Sequence, residues 1–198
     1  LDLVDIPAVA ELAHAAGAKV IIDNAFATPI AQKPLELGAD IVIYSATKHI
    51  DGQGRVLCGA VLADEEFIKE RMLKFYRQTG PTISPFNAWV LMKSLETIAL
   101  RVERQAENAA AIAAWLERRP GVVKMRYPGL ESHPQHALAR RQMSNGGTLL
   151  AFTVEGGRQA AFRALNALKL IDISNNLGDS KTLACHPAST THSLSLIH

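Results

Sequence analysis

The sequence predicts an α/β protein: part of a large domain on a mainly parallel sheet, followed by the start of a smaller α+β domain. Three features predict it. Short apolar runs rich in β-branched residues stand at Lys19–Asp23, Asp40–Tyr44 and Gly59–Ala63, the pattern of strands covered on both faces. Helical patterns separate them, as in strand–helix–strand units. Beyond Pro120-Gly121 the order changes to strand, strand and helix.

Taken in order, Val9 to Ala16 reads as the end of an amphipathic helix stopped by Gly17. The run from Lys19 to Asp23 follows as a buried strand. A short helix has Pro34 near its start and Gly38 at its end. Asp40–Tyr44 and Gly59–Ala63 are the next strands. Asp64 is placed to cap a helix whose first turn holds Glu65 and Glu66. Ser84-Pro85 opens another, with Ser as N-cap and Pro at the first helical position. The pattern then stays helical to Arg119, long enough to connect two domains. Val122–Tyr127 and Thr148–Val154 read as strands and Arg158–Leu168 as a helix. The boundary is therefore placed at 120/121. Residues 1–120 are expected to form part of the large domain with its connecting helix, and residues 121–198 part of a small C-terminal domain.

Bulk properties narrow the function. The 198 residues are 48% hydrophobic and 20% charged, with a formal net charge of +2, the profile of a soluble globular protein. The charge is too small, and the basic residues too dispersed, for nucleic acid or a membrane surface. No apolar run is long enough to span a bilayer. Cys58 and Cys185 stand far apart, which suits a reducing cytoplasm. The sequence opens at Leu1 within a helical pattern and closes on Ser193–His198 without an element to end it. An internal piece of a longer protein is the expectation.

The chemistry concentrates between Asp23 and Lys48. Asp23 ends a strand expected to be buried, where a carboxylate needs a cationic or hydrogen-bonded partner. The next strand runs into Ser45-Ala46-Thr47-Lys48. In extended backbone Ser45 and Thr47 share one side, at the carboxyl edge where open α/β sheets bind ligands. Singly, such an Asp is often a turn former and such a Lys a surface residue. Together they meet the needs of pyridoxal 5'-phosphate: an amine for its aldehyde (Lys48), a carboxylate for its ring nitrogen (Asp23) and hydroxyls for its phosphate (Ser45, Thr47).

These segments resemble the trans-sulfuration enzymes of cysteine and methionine metabolism, a fold-type I pyridoxal-phosphate family. The resemblance rests on Val20-Ile21-Ile22-Asp23-Asn24, Leu35–Asp40, Tyr44–Lys48, Tyr127-Pro128-Gly129-Leu130 and His186-Pro187-Ala188-Ser189. It runs to about His192. It implies that Lys48 is the Schiff-base lysine, that Asp23 pairs with the pyridine nitrogen, and that Ser45 and Thr47 bind phosphate. Arg77–Pro81, Ser84–Trp89 and Ser174–Asp179 look most like the O-succinylhomoserine sulfhydrylase branch. Many relatives carry Ser where this chain has Asn176, beside the substrate carboxylate, so Asn176 is the implied substrate-binding position. Cys58 stands where the family usually has Gly and reads as a small buried residue. The family's glycine-containing phosphate loop and ring-stacking tyrosine would lie before Leu1, and its substrate-carboxylate arginine after His198.

The implied activity is γ-replacement on an O-acylhomoserine, succinyl by preference, with sulfide, giving homocysteine for methionine biosynthesis. Lys48 would move protons at Cα and Cβ. Cystathionine γ-synthase, cystathionine γ-lyase and methionine γ-lyase share the same cofactor residues and remain open. So do an inactive cofactor-binding fragment and an α/β binding module without cofactor. The resemblance further implies a small amino-acid substrate and a homodimer or homotetramer at full length; the chain alone is expected to lack turnover. His133, His136, His186 and His192 lack companions at metal-ligand spacing, so no metal is expected. Gly52-Gln53-Gly54 is too short for a phosphate fingerprint. The Arg/Glu alternation from Arg101 to Glu107 reads as a solvated helix face.

Overall fold

A computed structural model describes residues 1–191; His192 and the Ser193–His198 end lie outside the described residues. Among the described residues the strands form one three-stranded and two two-stranded sheets.

Helix α1 (Ile6–Ala15) is entire, not the tail of a longer one: Asp5 caps it, accepting from the Ala8 amide, with Pro in its first turn. Gly17 ends it at φ 71°. β1 (Ile21–Asp23) and β2 (Ile41–Ser45) pair in parallel, with Asp23 opposite Ile43. Between them lie α2 (Thr28–Ala31) and a 3-10 turn, Pro34–Leu37. The turn closes on Gly38 at φ 101°, conformational space that suits glycine. Asp40 fastens the strand entry. Its carboxylate accepts from the Val20 amide at 2.7 Å, from His14 at 2.8 Å and from Lys19 at 3.2 Å. Those bonds hold its pKa well below the usual carboxylate range, the Val20 amide foremost.

β3 (Gly59–Ala63) runs antiparallel to β2, Ser45 opposite Gly59. The expected third parallel strand is thus corrected, and the sheet is mixed. A parallel return needs a long crossover, usually a helix. Residues 46–58 instead build a turn carrying Lys48 and come straight back. Ile6, Ala10, Val20, Ala39, Val42 and Tyr44 form the core between α1 and this sheet.

Asp64 caps α3 (Glu65–Phe67), its carboxylate accepting from Phe67 N at 2.7 Å. The helix continues as a π-turn (Ile68–Met72) into α4 (Leu73–Thr79), stopped by Gly80. Ser84 caps α5 (Pro85–Leu95), and α6 (Ile98–Leu116) follows after Glu96-Thr97. No helix among the described residues is long and apolar enough to cross a membrane.

Past Gly121, β4 (Val122–Arg126) pairs antiparallel with β5 (Ala151–Val154). Tyr127 is buried between them and α6, its hydroxyl 3.0 Å from Gly147 O and 3.3 Å from Ala106 O. A Cβ at Gly129 would stand 2.5 Å from its ring, which explains the Tyr-Pro-Gly sequence. α7 (His136–Gln142), unseen in the sequence pattern, anchors the start of the chain. Gln135 trades two 2.7 Å hydrogen bonds with the Leu3 backbone, and Arg141 pairs with Asp5. His133 and His136 engage the carbonyls of Leu1 and Pro128. α8 (Gly157–Asn166), β6 (Asp172–Ile173) and β7 (Leu183–Ala184) complete the elements the site needs.

Candidate active site

The carboxyl ends of β1 and β2 place Asp23 and Ser45 on one sheet edge. β2 ends at Ser45, and residues 46–51 are a turn. The strand alternation expected to align Ser45 with Thr47 therefore stops one residue short of Ala46. The two hydroxyls have different circumstances. Thr47 Oγ1 accepts from Cys58 N at 3.0 Å and donates to Cys58 O at 3.3 Å, locking the turn to the start of β3. The Ser45 hydroxyl makes no hydrogen bond among the described residues. Cys58 is half-buried, not buried, with Sγ 3.2 Å from Gly59 O.

Asp23 is exposed, which corrects the expectation of a buried carboxylate. One oxygen accepts from Ala25 N at 3.0 Å, and no cation among the described residues pairs with it. Its neighbour Asn24 is 1% exposed and anchors the strand end. Asn24 Nδ2 donates to the carbonyls of Thr28 and Gln32, and Gln32 Nε2 donates to Asn24 Oδ1 at 2.9 Å. Gln142 of α7 continues the chain of amides, donating to Gln32 Oε1 at 3.0 Å. The network holds Thr28 at φ 66°, a strained value for a β-branched residue.

Lys48 lies half-buried in the turn. Its Nζ donates to Asn176 Oδ1 at 2.8 Å, across 128 positions of sequence. The Asn176 loop is clamped onto the turn. Ser180 N donates to Gly52 O at 2.8 Å, and Gln105 Nε2 to Asp179 O at 2.9 Å. Gly178, at φ 76°, lets the two backbones touch: a Cβ there would stand 2.4 Å from His49 N and 2.8 Å from the Lys48 carbonyl carbon.

Beside Lys48, His49 is 2% exposed, its Nε2 2.7 Å from Thr148 Oγ1 and its Nδ1 without a hydrogen-bond partner among the described residues. Burial, helped by the Arg101 charge and opposed by the nearby Ala25 backbone, brings its pKa down to about 4, so the ring is neutral at pH 7. Asp51, 1% exposed, accepts from Arg55 N at 2.6 Å and Arg55 Nε at 3.0 Å.

The structure thus brings Lys48 and Asn176 into contact and sets Asp23 and Ser45 on the edge that Lys48 follows. It commits Thr47 to the turn. Sequence reasoning missed the Asn24 amide chain, Gly178 and the supports of the turn. Gly178 in the Asn-Leu-Gly-Asp run was the visible signal for the close approach to the turn, since an isolated glycine often marks one. An amine, a carboxylate with one oxygen uncommitted and an unengaged hydroxyl form the donor set that a phosphorylated pyridine aldehyde requires; the residues fit that group.

Residues 1–195 match the family described as Cys/Met metabolism PLP-dependent enzyme. The O-succinylhomoserine sulfhydrylase of Mycobacterium tuberculosis is 57% identical over 195 residues, covering 96% of this chain and 48% of that protein. The L-methionine gamma-lyase of Treponema denticola is 44% identical over 194 residues, 96% of this chain and 48% of that one. The crystal structure of cystathionine gamma synthase from Xanthomonas oryzae pv. oryzae superposes with a TM-score of 0.94 at 38% identity, covering 98% of this chain and 50% of that one. The chain spans about half the length of these relatives.

Proposed function

The chain belongs to the Cys/Met metabolism pyridoxal-phosphate-dependent enzyme family, and on that premise we propose that it forms part of an O-acylhomoserine sulfhydrylase, using sulfide to replace an acyl group, succinyl by preference, and giving homocysteine. The single observation carrying the site reading is the 2.8 Å hydrogen bond from Lys48 to Asn176. It sets the one amine of the turn against Ser174–Asp179, and the resemblance of that segment to the sulfhydrylase branch supports the reading. The higher identity to a sulfhydrylase than to a lyase supports the choice of reaction.

Lys48 would hold the cofactor through its amine, Asp23 would face the pyridine nitrogen, and Ser45 would donate to the phosphate. When bound, the pyridoxal ring supplies an electron sink for charge developing at the substrate Cα. Lys48, as a free amine, would carry protons between the substrate Cα and Cβ. Asn176 would orient that amine through its carboxamide oxygen, leaving its Nδ2 to donate to the substrate carboxylate. Asp23 would favour the protonated form of the ring nitrogen it faces. Thr47 works from behind: its bonds to Cys58 fix the backbone on either side of Lys48, and it would reach a phosphate only by giving up the 3.3 Å bond to Cys58 O.

The same arrangement serves a lyase, since elimination and replacement share these proton transfers. Exposed Phe75, Phe86, Trp89 and Met92 on α4 and α5 support self-association of the whole protein. The test is an assay of the full-length protein with succinyl- and acetylhomoserine, each with sulfide or cysteine. Homocysteine from succinylhomoserine and sulfide is expected; release of a 2-oxo acid and ammonia without homocysteine would establish a lyase instead.

A further inference from the structure

The turn that carries Lys48 ends like a helix, with carbonyls that no backbone amide among the described residues reaches. Lys48 O accepts from Gly52 N at 2.8 Å and Ala46 O from Asp51 N at 2.9 Å. The carbonyls of His49 and Ile50 are taken instead by one side chain from α6. Arg101 Nη1 donates to His49 O at 2.8 Å, and Nη2 donates to Ile50 O at 3.3 Å and to Ser94 O at 3.0 Å. Its Nε donates to Thr97 Oγ1 at 3.2 Å, so the guanidinium is fixed on its own side as well. The expectation of a solvated helix face beginning at Arg101 is corrected here; Arg104 and Glu107, paired at 3.4 Å, do face solvent.

Gly52 closes the arrangement. Its φ is 72°, and a Cβ there would stand 2.1 Å from Arg101 Nη1. The chain passes directly over the guanidinium at the one residue type that permits both the conformation and the approach. Arg55 reaches the same place from the other side, donating to Asp51 O at 3.0 Å and Ser94 Oγ at 2.7 Å. Burial first, then the Arg55 charge, lowers the Arg101 pKa, and Asp51 opposes them only in part.

We infer that Arg101 is a positioning residue for Lys48: its guanidinium caps the lysine-bearing turn and fixes the turn to α6. The inference rests on Lys48 being the cofactor lysine. A planar fork spans two carbonyls at once; a lysine ammonium is a point charge and does not. Loss of the fork leaves two carbonyls uncapped and frees the turn to shift Lys48 relative to Asn176 and the sheet edge, which lowers kcat with little change in KM.

The experiment uses the cofactor-loaded full-length protein and its Arg101→Lys and Gly52→Ala variants. Amide hydrogen exchange is read at Asp51 and Gly52, with β2 amides as reference, beside kcat, KM and borohydride labelling. Expected for Arg101→Lys is exchange about tenfold faster at Asp51 and Gly52, the factor matching loss of about one charge-assisted hydrogen bond. β2 should stay unchanged, and kcat should fall about tenfold or more. Gly52→Ala pushes a methyl into the same guanidinium and must give the same local signature, even should the Arg101 variant not fold. Unchanged exchange in the turn of either variant, or acceleration shared equally with β2, overturns the inference. Borohydride label on another lysine removes the cofactor role of Lys48 and hence the functional half, whatever the exchange shows.

Discussion

Lys48 Nζ donates to Asn176 Oδ1 at 2.8 Å, joining a turn at the sheet edge to a loop 128 positions away. Neither group is fully buried, so the bond forms without the full desolvation cost of a charge in the core. It is held from below by Arg101 on the turn and from above by Gly178 in the loop.

Asn176→Ala should lower turnover of the full-length protein roughly ten- to a hundredfold, the range for one hydrogen bond to a charged partner. Asn176→Asp should also slow it, because a carboxylate at this distance holds Lys48 as ammonium when a free amine is needed. Steady-state kinetics with a pH profile separates the two: the Asp variant should regain rate toward high pH and the Ala variant should not.

Gly178→Ala should destabilise the chain by about 1–3 kcal/mol, since it adds strain at φ 76° and a methyl against His49 N. The measurement is the denaturant midpoint, read with amide exchange in residues 174–181. A midpoint within error of the parent would show that the loop has room to lift.

How much of this was legible depends on range. Lys19–Asp23 and Asp40–Tyr44 announced strands through β-branched runs, and Asp64 and Ser84 announced helix starts through capping chemistry; these are local signals. The direction of β3 was not legible, because residues 46–58 do not say which way the chain returns. Asp5-Ile6-Pro7 is a helix start overlooked beside the stronger Gly17 stop. α7 was hidden by Pro134 and by polar residues that turn out to hold the backbone of Leu1, Leu3 and Val4 and the side chain of Asp5. In the site, Asp23, Ser45 and Lys48 stood out by residue type and position. Arg101 did not, because an Arg in a charged helix looks solvated until the turn it caps is folded against it.

Asp23→Asn should reduce turnover roughly a hundred- to thousandfold while leaving thermal stability near that of the parent. The side chain is exposed and its bond from Ala25 N survives in the amide, so folding loses little. Kinetics and a thermal melt on one preparation check both halves. Near-parent turnover would reduce Asp23 to a turn former.

Stability should rise with pH between about 4 and 6.5 through His49. Burial brings its folded pKa from the ordinary 6.5 to about 4, so in this window the unfolded chain binds the proton and the native chain does not. The contribution is fully present above 6.5 and is lost as pH falls through the window, at no more than about 1.4 kcal/mol per pH unit. His49→Gln should flatten that part of the curve, read from denaturant midpoints across pH. Asp40 adds its own loss only further into acid, since its pKa is depressed below the carboxylate range.

The central claim is that Lys48 carries the cofactor. Full-length protein is loaded with pyridoxal 5'-phosphate, reduced with borohydride, digested and mapped by mass spectrometry. The account predicts the pyridoxyl mass on the peptide containing Lys48, absent in Lys48→Ala. Label on any other lysine, or undiminished label in Lys48→Ala, would contradict it.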